Sequence, residues 1–192
     1  RMAAKGMKFT QHYSGSTVCA PTRCCLMNGV HTGHSYVRGN REVQPEGQSP
    51  IPADLVTIPK LLQKAGYTTG MFGKWGLGAP GSTGDPVNQG WDEFYGYNCQ
   101  RQAHTYYPKH LWHNDEKIPM DGKTYSHDLI HEQSLKFIRD NAKRPFFAYL
   151  PITIPHAAMQ CPEEDVAPFR GKFSEFEDKI GKYSHGTRVR NP

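Results

Sequence analysis

Val18-Cys19-Ala20-Pro21-Thr22-Arg23 sets a nucleophilic side chain, a proline and an arginine in fixed register, just ahead of the apolar run Cys24-Cys25-Leu26-Met27. Pro21 suits the first turn of a helix, where a missing N–H costs nothing. A helix opening near Ala20 puts Cys19 at its positive end, where unpaired backbone N–H groups attract anions. Arg23 is four residues on and therefore on the same helical face as Cys19. The spacing predicts a helix from about Ala20 to Asn28, stopped by Gly29.

Upstream, residues 7–14 alternate apolar and polar side chains and read as a strand leading into the cysteine turn. Downstream, Val30 to Asn40 is a glycine- and histidine-rich loop containing His34, and residues 41–54 form a polar, proline-rich connection. Pro59 to Lys64 reads as a second helix, with Leu61 and Leu62 on its buried side and Gly66 as its stop. Tyr67 to Phe72 reads as a strand running into Gly73-Lys74-Trp75-Gly76-Leu77-Gly78, and Trp91 to Tyr97 as a short aromatic strand. Leu111 to Ile118 suits a hairpin. Ser126 is the expected N-cap of an amphipathic helix over 127–141. Pro145 to Leu150 is a continuous apolar run of the kind found in buried parallel strands, and it leads to Pro155-His156.

Alternating helices and buried strands predict an α/β fold, in which sites gather outside the carboxyl ends of the strands. Cys19, Lys74 and His156 each fall where a predicted strand ends, so the pattern gives them one common address. Arg101, Gln102 and His104 lie in the polar, aromatic segment Cys99 to Pro108, a candidate subsite for the organic part of a substrate. Tyr106, Tyr107 and Trp112 offer rings for stacking there.

The chain has 192 residues, enough for one domain with a real core, and a mild net charge of +5. That charge is spread out, with no basic block or stripe, so nucleic acid is not an expected partner. It suits an anionic small substrate. No apolar run is long enough to span a membrane. The five cysteines show no Cys-x-x-Cys zinc spacing, and Cys24 and Cys25 read as buried thiols. Both ends look cut, without a signal peptide at the start or a closing element over residues 181–192. A piece of a longer protein is expected.

Cys19-x-Pro21-x-Arg23 resembles the maturation signature of the type I, formylglycine-dependent sulfatases. Gly73 to Gly78 resembles the family's second signature, Gly-Lys-Trp-His-Leu-Gly, with Gly76 where the family has histidine. The apolar strand before His156 resembles a third stretch. The resemblance covers nearly all of the chain. It implies the alkaline phosphatase-like α/β fold, a mostly parallel sheet flanked by helices, with residues 1–192 an incomplete part of the N-terminal catalytic domain. It implies an arylsulfatase-like sulfuric ester hydrolase acting on a sulfated carbohydrate or aryl alcohol.

Cys19 would then be oxidised by a maturase to formylglycine, whose hydrate is the nucleophile. Arg23 would anchor that hydrate, Lys74 would contact a sulfate oxygen, and His156 would meet sulfate and the leaving-group oxygen. Calcium is the implied cation, with the Cys19-derived formylglycine as its only ligand in this chain. The family's carboxylate and amide ligands are expected before residue 1 and beyond Pro192, so the chain by itself is expected to show little or no activity. Gly76 calls for another base, and His34 is the candidate replacement. Periplasmic or extracellular location is likewise implied. Two other readings stay open: a phosphoester or phosphonate hydrolase of the same superfamily, and a non-catalytic binder of sulfated glycans.

Overall fold

The computed structural model describes residues 1–156 and 160–172, so the polar stretch 181–192 lies outside the described residues. In chain order the elements are α1 (Met2–Lys5), α2 (Cys19–Asn28), α3 (Ile58–Lys64), β1 (Thr68–Lys74), β2 (Glu93–Tyr97), β3 (His110–His113), β4 (Glu116–Pro119), α4 (Ser126–Asn141), β5 (Phe146–Tyr149) and α5 (Glu163–Val166). The five strands form one sheet in the order β4-β3-β2-β1-β5. β1 pairs in parallel with β2 and with β5, while β2–β3 and β3–β4 are antiparallel.

The sheet is therefore mixed rather than mostly parallel, and the connections explain why. A parallel return needs a crossover, usually helical. Between β2 and β3 the chain forms only a three-residue 3-10 turn, Gln102–His104. Between β3 and β4 it turns on Asn114 and Asp115, with Asn114 in the left-handed region at φ 53°. α4 is the long crossover, and it returns the chain to the far side of β1 as β5.

Strand alternation sorts the core into two layers. Met71 and Phe94 point to one face with Trp75, Leu77 and Trp91, where Ala20, Cys24 and Met27 of α2 cover them. Phe72, Tyr95 and Tyr97 point to the other, where Ile130 and Phe137 of α4 cover them. β1 lies in the middle of this sandwich, which is why every residue from Thr69 to Lys74 is buried, the polar Thr69 and Lys74 included. Phe137 packs its ring 5.3 Å from Phe72 and 6.0 Å from Phe146. Gly70 makes room for it, since a Cβ there would come within 2.8 Å of the Phe137 ring.

Four local expectations are corrected. Residues 7–14 form no strand, and Met7, Phe9 and Tyr13 stay exposed; alternation supplies a face, but a strand also needs a neighbour to complete its ladder. In α3 the buried residue is Pro59, while Leu61 is exposed, because the short helix meets the core only at its start. Ser126 is the first helical residue, not the cap: Tyr125 takes the cap position, and the Ser126 hydroxyl donates to the Tyr106 carbonyl at 2.8 Å. β5 is parallel as expected but only half-buried, being the last strand of the described sheet.

Because Phe137 joins α4 to both β1 and β5, Phe137→Ala is expected to cost about 3–5 kcal/mol. Urea denaturation of the full-length protein, comparing transition midpoints, measures it.

Candidate active site

The site is assembled where α2 begins and where β1 and β5 end. α2 opens when Thr22 N–H donates to Val18 O, and it closes at Gly29, whose φ of 67° is the left-handed stop the sequence predicts. Its first turn is less open to anions than helix geometry alone suggests. The Ala20 N–H donates to the Asn40 side-chain oxygen at 3.0 Å, and Pro21 has no N–H. Of the first three residues, this leaves the Cys19 amide. The positive character of the site is instead carried by two side chains.

Arg23 follows Cys19 by one turn of α2, and its guanidinium Nη1 donates to the main-chain carbonyl of Lys74. Lys74 is the last residue of β1, 1 % exposed, and its Nζ lies 3.6 Å from Cys19 Sγ. Its backbone N–H donates to Pro151 O, just beyond β5, at 3.1 Å. His156 hydrogen-bonds the Cys19 thiol. The His156 main-chain N–H donates to Thr153 O at 2.9 Å, and its carbonyl accepts from the Tyr106 hydroxyl at 3.0 Å. Two strand ends and one helix start thus converge on a single sulfur.

The electrostatics follow from burial and proximity. The His156 hydrogen bond lowers the Cys19 thiol to about 7 against the opposing pull of burial, and Lys74 and Arg23 lower it further. Burial pushes Lys74 down to about 8, helped by Arg23 and opposed by Cys19. Burial also pulls Arg23 below its ordinary value. A cavity of about 460 Å³ opens here, bordered by Cys19, Arg23, Lys74, Tyr149, Thr153 and His156 among others. No carboxylate among the described residues lines it. Two cations without a carboxylate beside a nucleophile form a receptor for a small oxyanion.

A second cavity, of about 450 Å³, shares Cys19 and His156 with the first and extends toward Arg101 and His104. The His104 and His156 rings stack with centroids 4.6 Å apart and planes 14° from parallel. Arg101 Nε lies 2.7 Å from Glu42 Oε1. Of the sequence-predicted residues, Cys19, Arg23, Lys74 and His156 therefore meet at one cavity, and Arg101 and His104 reach the adjoining one. Gln102 lines neither; its side chain donates to the His110 carbonyl. His34 is exposed and lines neither.

The aromatic candidates do not line these cavities either. Tyr106 is fully buried and holds the His156 loop, and Trp112 Nε1 donates to Glu46 at 2.9 Å. Tyr149 escaped the sequence reading. Its position in β5 was legible, but which alternate side chain faces Cys19 depends on strand register.

Among the described residues, no group of three or more His, Cys, Asp or Glu side chains could hold a metal ion. The groups around Cys19 fit an anion and do not fit calcium, which needs several hard oxygen ligands.

In protein whose Cys19 remains a thiol, alkylation by iodoacetamide should follow thiolate formation. The rate is expected to be low below pH 7, to rise through a midpoint near 7, and to level off above it. Lys74→Met removes a cation that favours thiolate, so its midpoint moves to higher pH; rate measurements between pH 5 and 10 check the sign.

The sulfatase family model matches residues 1–188. The N-acetylgalactosamine-6-sulfatase of Rattus norvegicus is 31 % identical over 210 residues, with 95 % of this chain and 40 % of the relative covered. The arylsulfatase of Klebsiella aerogenes is 28 % identical, covering 91 % of this chain and 40 % of that protein. The chain thus spans about two fifths of the length of these curated relatives. Among solved structures, Ps i-CgsB in complex with k-i-k-neocarrahexaose superposes with a TM-score of 0.72 and 26 % identity over 86 % of this chain and 40 % of that one. BT4656 in complex with its substrate D-glucosamine-2-N,6-O-disulfate superposes at 0.63 with 25 % identity, over 86 % of this chain and 31 % of that one. With the family model spanning residues 1–188 and the fold superposing on these structures, the chain belongs to the sulfatase family.

Proposed function

We propose that the protein containing this chain hydrolyses sulfate monoesters of a carbohydrate or aryl alcohol, with Cys19 converted to formylglycine by a maturase. The convergence of Arg23, Lys74 and His156 on Cys19 carries this reading. Residues 1–192 are read as part of the catalytic domain. Location in the periplasm or outside the cell rests on the family alone; among the described residues no helix is long and apolar enough to cross a membrane.

Formylglycine, as the hydrated aldehyde, supplies a hydroxyl nucleophile where the Cys19 sulfur now lies. The rest is done by ordinary side chains. Lys74, buried at the end of β1, meets a sulfate oxygen with an ammonium that is still mostly protonated at pH 7. Arg23 sits one helical turn below the nucleophile, where a guanidinium can orient it and offset negative charge. His156 is in hydrogen-bond contact with residue 19 and borders both cavities, so it is placed to give a proton to the departing alcohol oxygen. Calcium is the family's implied cation. The described residues do not cage it, and no step here depends on it.

Three measurements test the reading on full-length protein made with its maturase. Mass spectrometry of the peptide spanning residue 19 should show loss of the thiol and gain of an aldehyde. Rates on 4-nitrophenyl sulfate should exceed those on 4-nitrophenyl phosphate; the reverse order identifies a phosphoester hydrolase. Cys19→Ala should abolish turnover, and Lys74→Ala should lower kcat/KM by about 100-fold or more, as expected for loss of a charge-stabilising group. A maturated protein that binds sulfated glycans without turning them over would be a binder and not an enzyme.

A further inference from the structure

Gly76 stands where the second sulfatase signature has histidine, and the structure shows what takes the space. Gly76 has φ 82°, in the left-handed region. A Cβ there would come within 2.4 Å of Gln100 Cγ and 2.8 Å of Gln100 Cδ and Nε2. Gln100 is 4 % exposed, and its Nε2 donates to the Gly76 carbonyl at 3.1 Å. A side chain at 76 and the Gln100 side chain therefore exclude one another. One N–H of the Gln100 carboxamide is committed to Gly76, and the residue lines the cavity beside Cys19.

The rest of that cavity wall has the same character. Asn40, Glu42, Gln48, Gln100, Arg101 and His104 line it, and no phenylalanine, tyrosine or tryptophan among the described residues does. Gln48 is 5 % exposed, and its Oε1 is buried without a hydrogen-bond partner among the described residues. The charges of Glu42 and Arg101 are directed at each other at 2.7 Å, so the wall presents paired charge and neutral amides, not a net cation. Carboxamides beside a carboxylate and a guanidinium offer donors and acceptors at many angles. That suits a ring bearing several hydroxyls and gives an aryl face little to stack on. The volume, about 450 Å³, lies within the range of small-ligand pockets, roughly 300–1,000 Å³.

We propose that this second cavity is the leaving-group subsite for a neutral sugar ring, and that Gln100, admitted by the glycine at 76, is a specificity-determining residue. This rests on the sulfatase reading, which places the sulfate at Arg23 and Lys74 and sends the alcohol past His156. His156 borders both cavities and so stands at the junction where the ester oxygen must lie.

Isothermal titration of the full-length protein with Cys19 left as a thiol separates binding from turnover. The probes are galactose 6-sulfate, galactose 4-sulfate, 4-nitrophenyl sulfate and inorganic sulfate. The expected result is at least one galactose sulfate binding about tenfold or more tightly than 4-nitrophenyl sulfate. Gln100→Leu keeps the packed stem beneath Gly76 and removes the amide, so it should cut galactose sulfate affinity about tenfold while leaving that for inorganic sulfate in place. Gly76→Ala, which displaces Gln100, should reproduce the loss. Equal or tighter binding of the aryl ester, or a Gln100→Leu protein that binds the sugar sulfates normally, overturns the subsite. Loss of inorganic sulfate binding along with the sugars in Gln100→Leu also overturns it, because the residue would then support the whole site. Maturated wild-type protein inert on every sulfate ester would sink the sulfatase reading instead, and the thiol-form titrations would still report on the cavity.

Discussion

Lys74 is charged, 1 % exposed, and shares its surroundings with a second cation, Arg23, at a cavity with no carboxylate among its described lining. Taking an ammonium out of water costs several kcal/mol even after the protein relaxes around it. Here an internal ion pair does not offset that cost. Arg23 gives a hydrogen bond to the Lys74 carbonyl, and Lys74 gives one to Cys19. The remaining demand is for negative charge, and it is directed at residue 19. A thiolate meets it in part: the His156 hydrogen bond first, and then Lys74 and Arg23, shift the thiol down despite its burial. A bound oxyanion would meet it more fully.

Holding that arrangement is the task of the sheet. β1 is the central strand of the parallel portion, clamped by β2 on one side and β5 on the other, with α2 over one face and α4 over the other. Lys74 is therefore fixed by main-chain bonds on both sides of its strand end: its own N–H reaches Pro151 O, and the next residue, Trp75, reaches Tyr97 O. α2 rests on the same face through Ala20, Cys24 and Met27, so packing sets the distance from helix to strand end. His156 comes last, on the turn after β5. That turn is held by the buried Tyr106 hydroxyl and by His127, whose Nε2 pairs with the Thr153 hydroxyl at 2.9 Å. Burial lowers His127 to about 4, so this pairing keeps a neutral imidazole through ordinary conditions.

The helix expected from about Ala20 to Asn28 and found over Cys19–Asn28, its stop at Gly29, the strand into Lys74 and the apolar strand before His156 were all legible in the chain. These features are local. Proline position, glycine conformation and runs of apolar residues act within a few residues of themselves. The misplaced strand at 7–14 and the exposed Leu61 show the limit of that logic. A face that could be buried stays in water when no partner arrives, and periodicity does not report partners.

By itself, the sequence determined the chemistry: a cysteine, an arginine, a lysine and a histidine placed at element ends, and a glycine where the family signature has a histidine. Tertiary structure alone decided which of these meet, and what fills the gaps between them. It took Gln102 away to the His110 carbonyl, left His34 in solvent, and put Gln100 against Gly76. The reason is physical. Residue type fixes what a group can do, but its neighbours across the fold are set by strand register and helix packing, which join positions dozens of residues apart.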